Sequence, residues 1–291
     1  MTTQTADKQE SALQLNTGNP AGAAEGSAAR DRLVSLLGLK VRDESVSEAA
    51  DTLIARALAR ERLQCYFVNA HCVNVAARDP AYAEILQRAP FVFADGVGMA
   101  IAGRLLGRPL ANNVNGTDLL PELCRRAAVR GIPMALLGAR PGTAIACASR
   151  LRVLYPGLNI RWVRHGFLSE DEETKQLPGL NASGARILLV AKGVPHQEKW
   201  IDRFAPHLDV PVIIGVGALF DFYSGSIPRA PMMVRRMRME WAYRLLREPR
   251  RLAGRYLKGN PEFLARVIRA RVGGTAFPAA RHPETASQEH D

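Results

Sequence analysis

The sequence predicts an α/β protein: a Rossmann-like, mostly parallel sheet with helices on both faces, followed by a C-terminal basic helical appendage. Three observations carry this. Short apolar runs alternate regularly with helical patterns between about residues 45 and 216. Several runs end in Gly, Pro or Asp, as buried strands do on entering a loop. After Asp221 only helical patterns remain, punctuated by Pro228, Pro231, Pro249 and Pro261. Regular alternation is the mark of βαβ units and a parallel sheet.

Residues 1–29 are rich in Ala, Gly, Thr, Gln and Ser without an apolar period and read as disordered. Residues 273–291 read the same way. Between them, 30–225 form the α/β core and 226–272 the appendage. Ser45 and Glu48 have capping-box spacing before a helix through Arg60. Cys65–Asn69 reads as the first core strand, followed by a helix over about Pro80–Arg88. A strand at Phe91–Ala94 ends at Asp95-Gly96, and helices cover Gly98–Leu106 and Leu119–Arg130. Next come a strand at Pro133–Leu137 ending at Gly138, a helix to Tyr155, and a strand at Asn159–Val163. The acidic cluster Glu170-Asp-Glu-Glu173 starts a helix, where its charge suits the dipole. A strand over 186–191, a helix from Gln197 and a strand at Val210–Val216 complete the core.

No apolar run approaches the roughly 18 residues that a membrane span needs. The first residues lack the basic region and apolar core of a secretory signal, so the chain is expected in the cytoplasm. Cys65, Cys72, Cys124 and Cys147 have no metal-binding spacing and read as buried hydrophobes. The net charge of +11 is concentrated: thirteen basic and three acidic residues lie between Pro228 and Arg271. Such a segment seeks an anionic partner: nucleic acid, an acidic membrane surface or a phosphorylated ligand. Met233, Met237, Trp241 and Leu245 recur every four residues among the arginines. That stripe fits a helix lying on anionic lipid, and equally one packed on its own core.

The most informative stretch is Gly193-Val-Pro-His-Gln-Glu-Lys-Trp200, which follows the apolar run ending at Ala191. It places His196, Gln197 and Glu198 beyond a strand's carboxyl end, where open α/β sheets bind ligands. Asp95 closes another strand and can act there as a general base, or as a turn or capping aspartate. Asn69 and His71 can contact a sugar or base; capping and a satisfied histidine are the alternative. Gly116 and Asp118 can contact a ligand, and Thr117 or Asp118 equally suits a helix N-cap. The loops at Gly138–Gly142 and Gly215–Phe220 can face a phosphate, but neither carries the dinucleotide fingerprint. No Asp-x-Asp is present, which points to a metal-independent reaction with arginines facing a leaving diphosphate.

Together these pieces resemble the WecG/TagA/CpsF bacterial glycosyltransferases, glycosyltransferase family 26, over about residues 38–260. The matching stretches include Asn69-Ala70, Ala94-Asp-Gly96, Gly116-Thr-Asp118, Leu136-Leu-Gly138 and Gly193 to Trp200. Further on come Gly215-Val-Gly217, Phe220-Asp221, Arg229-Ala-Pro231, Glu240-Trp-Ala-Tyr-Arg244, Glu248-Pro249 and Arg255-Tyr256. Their order and spacing together are specific. The resemblance implies an inverting transfer from a UDP-sugar donor to a polyprenyl-diphosphate-linked glycan acceptor; neither a cofactor nor a metal is expected. Asp95 would be the base, and Asn69 and Gln197 would line the donor pocket. Arg244, Arg251 and Arg255 fall on the arginine pattern of a C-terminal appendage that closes over the site and meets the membrane. Phe67 stands where TagA-like members have a hydroxyl residue, and Asn113 where they have an arginine.

The site expected from all this comprises catalytic Asp95 with Asn69, His71, Asn113, Gly116, Asp118, Gly138, Gln197, Glu198, Arg244, Arg251 and Arg255. The donor sugar is of the N-acetylmannosamine type, its uronic acid or glucose. The pathway is cell-envelope or exopolysaccharide assembly, peripheral on the inner face of the membrane, and a homo-oligomer stays open. A nucleotide-dependent oxidoreductase and a nucleic-acid binder are the rival readings. Against the second, the arginines alternate with apolar residues and few aromatics are free to stack on bases.

Overall fold

The computed structural model describes residues 32–225, Met233, and residues 240–247 and 249–273, without the side chains of Glu240, Trp241, Arg244 and Arg251. Of the segments read as disordered, 1–29 lies outside the described residues, and so does 273–291 apart from Gly273, as does most of 226–239.

The described residues open with a hairpin that the sequence did not announce. Strands β1 (Leu33–Leu36) and β2 (Leu39–Arg42) pair antiparallel around Leu37 and Gly38. Both turn residues have positive φ, 54° and 81°, as a two-residue hairpin turn matching strand twist requires. Leucine is an unusual residue there, so no turn signal marks the hairpin.

The core then follows the expected alternation. Helix α1 (Val46–Ala59) begins at the Ser45–Glu48 capping box and stops at Arg60, whose φ is 57°. Strand β3 (Leu63–Val68) leads into α2 (Ala70–Ala76) and α3 (Pro80–Arg88), and β4 (Phe91–Ala94) into α4 (Val97–Leu105). Then come α5 (Gly116–Val129), β5 (Met134–Gly138), α6 (Thr143–Leu154) and β6 (Ile160–Arg164). Helix α7 (Glu170–Ala182), β7 (Ile187–Ala191), α8 (His196–Phe204), β8 (Val212–Gly215) and α9 (Leu219–Tyr223) complete it. The C-terminal part holds α10 (Glu240–Arg247), α11 (Pro249–Ala253), a π-helical turn over Gly254–Lys258, and α12 (Gly259–Arg271).

The eight strands form one sheet in the order β1-β2-β4-β3-β8-β7-β5-β6, parallel except for the first pair. Side chains alternate across it with period two. Tyr66 and Val68 of β3 join a core with α2, α3, α4, α7, α8 and α12 on one face. Cys65 and Phe67 join a second core with α1, α5, α6 and α9 on the other. From β3 the chain moves outward to β4, then crosses to β5 and returns through β8, which lies beside β3. The sheet's order therefore reverses between β3 and β8, the place where open α/β sheets bind ligands at their carboxyl edge.

Helix α5 starts earlier than expected, and its cap corrects the sequence reading. Neither Thr117 nor Asp118 caps it. Asn115 does, accepting from the Asp118 N–H at 2.9 Å and the Thr117 hydroxyl at 2.7 Å. An asparagine before a glycine reads as a turn, which hid the cap. Replacing Asn115 by alanine is expected to lower stability by about 1 kcal/mol, read as a lower urea midpoint with unchanged slope.

Helix α12 ties the C-terminal part to the helices behind the site. Phe263 and Val267 are buried with α2 and α4 side chains. The Asn74 side chain donates to the Gly259 carbonyl at 2.7 Å, and Arg78 pairs with Glu262.

Candidate active site

The parallel register brings Val68 beside Ala94, so Asn69 and Asp95 emerge together from β3 and β4. The Asp95 N–H donates to the Val68 carbonyl at 2.9 Å, which fixes the turn. Asn69 caps α2: its Oδ1 accepts from the His71 and Cys72 N–H groups at 3.1 and 3.3 Å. That fixes the amide orientation and points Nδ2 at Asp95, donating to Oδ2 at 3.3 Å. The capping role and the site role of Asn69 are therefore one geometry. On the other side, the Arg255 guanidinium donates to Asn69 Oδ1 at 3.3 Å. Asp95 and Asn69 are both half-buried, open enough for a substrate and dry enough to strengthen polar contacts.

His71 sits in the first turn of α2, half-buried. Burial, then the nearby Arg255 and Arg78 charges, lower its pKa to about 4. It is a neutral imidazole at physiological pH, suited to hydrogen bonding but not to carrying charge.

Asn113 accepts the Gly96 N–H at 3.0 Å, holding the turn that follows Asp95, where Gly96 has φ 89°. The 111–113 loop is held in turn by Asp43, at the end of β2. Its carboxylate accepts from the Ala111 and Asn112 N–H groups at 2.9 and 2.7 Å. Sequence reading missed Asp43 because it lies about seventy residues from its partners, and no local pattern marks it. Gly116 begins α5 against the Phe67 ring, with 3.6 Å from its Cβ position to the ring. Asp118 is exposed and accepts from the Asn115 amide at 2.8 Å.

Gly138 is needed for close approach. Its φ is 135°, and a Cβ there would meet the Ala191 carbonyl oxygen at 2.3 Å. Gly166 crowds the same place, so the loops after β5 and β6 lie against the end of β7.

Gln197, expected to line the donor pocket, and Glu198, expected at the site, are both turned into the protein. They are 3 % and 0 % exposed. Gln197 accepts the Gly217 N–H at 2.7 Å and donates to Glu198 Oε1 at 2.9 Å. The reason is packing: α8 lies flat on β7 and β8, and its apolar face of Trp200, Ile201 and Phe204 carries these two neighbours inward with it. Of the appendage arginines, Arg255 reaches the site, while the side chains of Arg244 and Arg251 lie outside the described residues.

Burial raises the Glu198 pKa to about 7, and the Gln197 hydrogen bond only partly opposes this. Its titratable neighbours Tyr66, Cys72 and Tyr82 are themselves pushed upward by burial and stay neutral. A carboxyl whose folded pKa is raised contributes stability that is fully present below its unfolded value, about 4.5, and lost as pH rises to about 7. His71, lowered to about 4, acts with the opposite sign over much of that range. Comparing variants isolates the carboxyl: E198Q is expected to gain stability relative to wild type progressively from pH 4.5 to 7, then level off. Urea midpoints across that range check it.

Among the described residues no group of three His, Cys, Asp or Glu side chains could hold a metal ion, and no helix is long and apolar enough to cross a membrane.

The family model of the glycosyl transferase WecG/TagA/CpsF family matches residues 34–276. The chain belongs to this family. It is therefore a glycosyltransferase. Among its relatives is an N-acetylglucosaminyldiphosphoundecaprenol N-acetyl-beta-D-mannosaminyltransferase of Staphylococcus aureus strain MW2. That protein is 31% identical over 203 residues, covering 70% of this chain and 78% of the relative. A protein of the same name from Bacillus spizizenii strain W23 is 29% identical over 194 residues, covering 67% of this chain and 74% of the relative.

Proposed function

We propose that this glycosyltransferase moves a sugar, with inversion, from a UDP-sugar to a polyprenyl-diphosphate-linked acceptor in envelope or exopolysaccharide assembly. The observation that carries the reading is the chain Asp95–Asn69–Arg255 at the reversal of the sheet. It sets a carboxylate, an amide and a guanidinium side by side. Asp95 takes the proton of the acceptor hydroxyl as its oxygen attacks the anomeric carbon from the side opposite the UDP. The bond from that carbon to the diphosphate oxygen breaks, and UDP departs. Asn69 orients the donor and holds Asp95. Arg255, with Arg244 and Arg251 from the same basic segment, offsets the charge growing on the diphosphate. Such a division of roles needs no metal.

The names of the relatives favour an N-acetylmannosamine-type donor and a lipid-linked N-acetylglucosamine acceptor. Exposed Met233, Leu246, Leu257, Ile268 and Val272, set among arginines and lysine, support a face that rests on anionic lipid. Binding there would bring the lipid acceptor and the donor together at the bilayer surface.

The test is incubation with a panel of UDP-sugars and a polyprenyl-diphosphate N-acetylglucosamine analogue, with the product read by mass. UDP-N-acetylmannosamine is expected to give a product one N-acetylhexosamine heavier than the acceptor. No product with any UDP-sugar, together with NAD binding by calorimetry or steeply salt-dependent duplex binding, would favour the rival classes instead. Liposomes containing anionic lipid are expected to bind the full chain and to release a chain ending before Pro228.

A further inference from the structure

Three buried features have no role in the transfer just described. A small space of about 10 Å³ lies between Leu137, Trp162, Leu177 and Trp200; it is barely large enough for one water and has an apolar wall. The Lys192–Glu173 pair also anchors to the Gly166 carbonyl, so its groups are satisfied as a strut. The third is Glu198. It is fully buried, and its second oxygen, Oε2, has no hydrogen-bond partner among the described residues. A buried carboxyl with half its capacity unused is costly, and a leucine would pack among its apolar neighbours without that cost.

What Glu198 does use is its Oε1, and the geometry of that contact is informative. Gln197 can point either end of its amide at Gly217. Only Oε1 can accept the Gly217 N–H, and then Nε2 must find an acceptor inside the protein. Glu198 Oε1 is that acceptor, at 2.9 Å. Gly215 leaves the room: a Cβ there would come to 3.0 Å from Gln197 Nε2. The loop so held starts at the end of β8, which pairs with β3. The last paired residue of β8, Ile214, lies beside Cys65, four residues before Asn69, so the loop leaves β8 toward the same carboxyl edge that carries Asn69 and, one strand further, Asp95. It continues into α9, whose Tyr223 hydroxyl donates to the Thr117 carbonyl at 3.4 Å in the first turn of α5.

We propose that Glu198 is a positioning residue of the active site: its buried carboxyl locks the Gln197 amide in the orientation that holds the Gly217 N–H, and so fixes the 215–218 loop at the carboxyl edge of the sheet that carries Asn69 and Asp95. The proposal rests on this edge of the sheet being the site of transfer. It assigns Glu198 no contact with substrate.

Two variants of the full chain test it. E198Q keeps an acceptor oxygen for Gln197; E198L removes it and fits the apolar surroundings. The first readout is amide hydrogen exchange, by mass spectrometry, of the segment covering residues 215–219. E198L is expected to exchange about tenfold faster there, with E198Q close to wild type and the urea midpoint of E198L no lower than wild type. The second readout is transfer with UDP-N-acetylmannosamine: E198L is expected to lose about tenfold or more in kcat with little change in KM, and E198Q to restore most of it. Unchanged protection in E198L, or equal damage in both variants, overturns the proposal. The exchange readout stands alone: if wild type transfers no sugar, the functional reading fails while the lock on the loop is still decided.

Discussion

Replacing Asp95 by asparagine is expected to lower kcat/KM for sugar transfer by about 10³-fold, within the range that positioned acid–base groups contribute. The substitution keeps the shape and an acceptor oxygen for the Asn69 amide. The backbone bond from residue 95 to the Val68 carbonyl is untouched. What is lost is the capacity to take a proton. The urea midpoint is expected to stay close to wild type, so the change in rate is chemical. UDP binding by calorimetry should also persist, because the carboxylate acts on the acceptor. Full transfer by a folded D95N protein would remove Asp95 from the role of base.

The second large effect is expected at Arg255. Arg255→Ala should cost about 10²-fold in kcat/KM, the size seen when one preorganised donor to a developing negative charge is removed. Arg255 is carried on the π-helical turn between α11 and α12, a form of backbone often found at functional sites. Its anchor lies elsewhere, in α12 packed on α2 and α4, so loss of its side chain should leave the fold intact. Arg255→Lys should recover little, since an ammonium lacks the planar fork that meets a diphosphate with two bonds. UDP should also bind more weakly to R255A. Wild-type turnover in a folded R255A protein would mean that the leaving group is neutralised by other residues.

Much of this was legible in the sequence, for local reasons. The buried parallel strands are short, apolar and bounded by Gly, Pro or Asp, so the sheet and the position of Asp95 and Asn69 at its edge could be read directly. The Ser45 cap binds a glutamate three residues on, and such spacing is visible in a chain; the same arrangement at Ser169 emerges only in the structure. What escaped depends on contacts distant in sequence. The β1–β2 hairpin turns on a leucine in a left-handed conformation. Asp43 holds a loop that a chain reading cannot bring to it. Gln197 and Glu198 are polar residues following a strand, which suggests a ligand; which way they face is set by how α8 lies on the sheet. The family resemblance points to that stretch, and the packing shows that both side chains face inward.

Asp95-assisted attack is expected to invert the anomeric carbon of a UDP-sugar as it joins a lipid-linked acceptor. The most direct measurement is the anomeric configuration of the product made from UDP-N-acetylmannosamine and a polyprenyl-diphosphate N-acetylglucosamine analogue, read from the one-bond C1–H1 coupling by NMR. The account predicts a β-linked disaccharide on the lipid, formed by wild type and lost with D95N. An α-linked product, or release of free sugar with the acceptor unchanged, would contradict it.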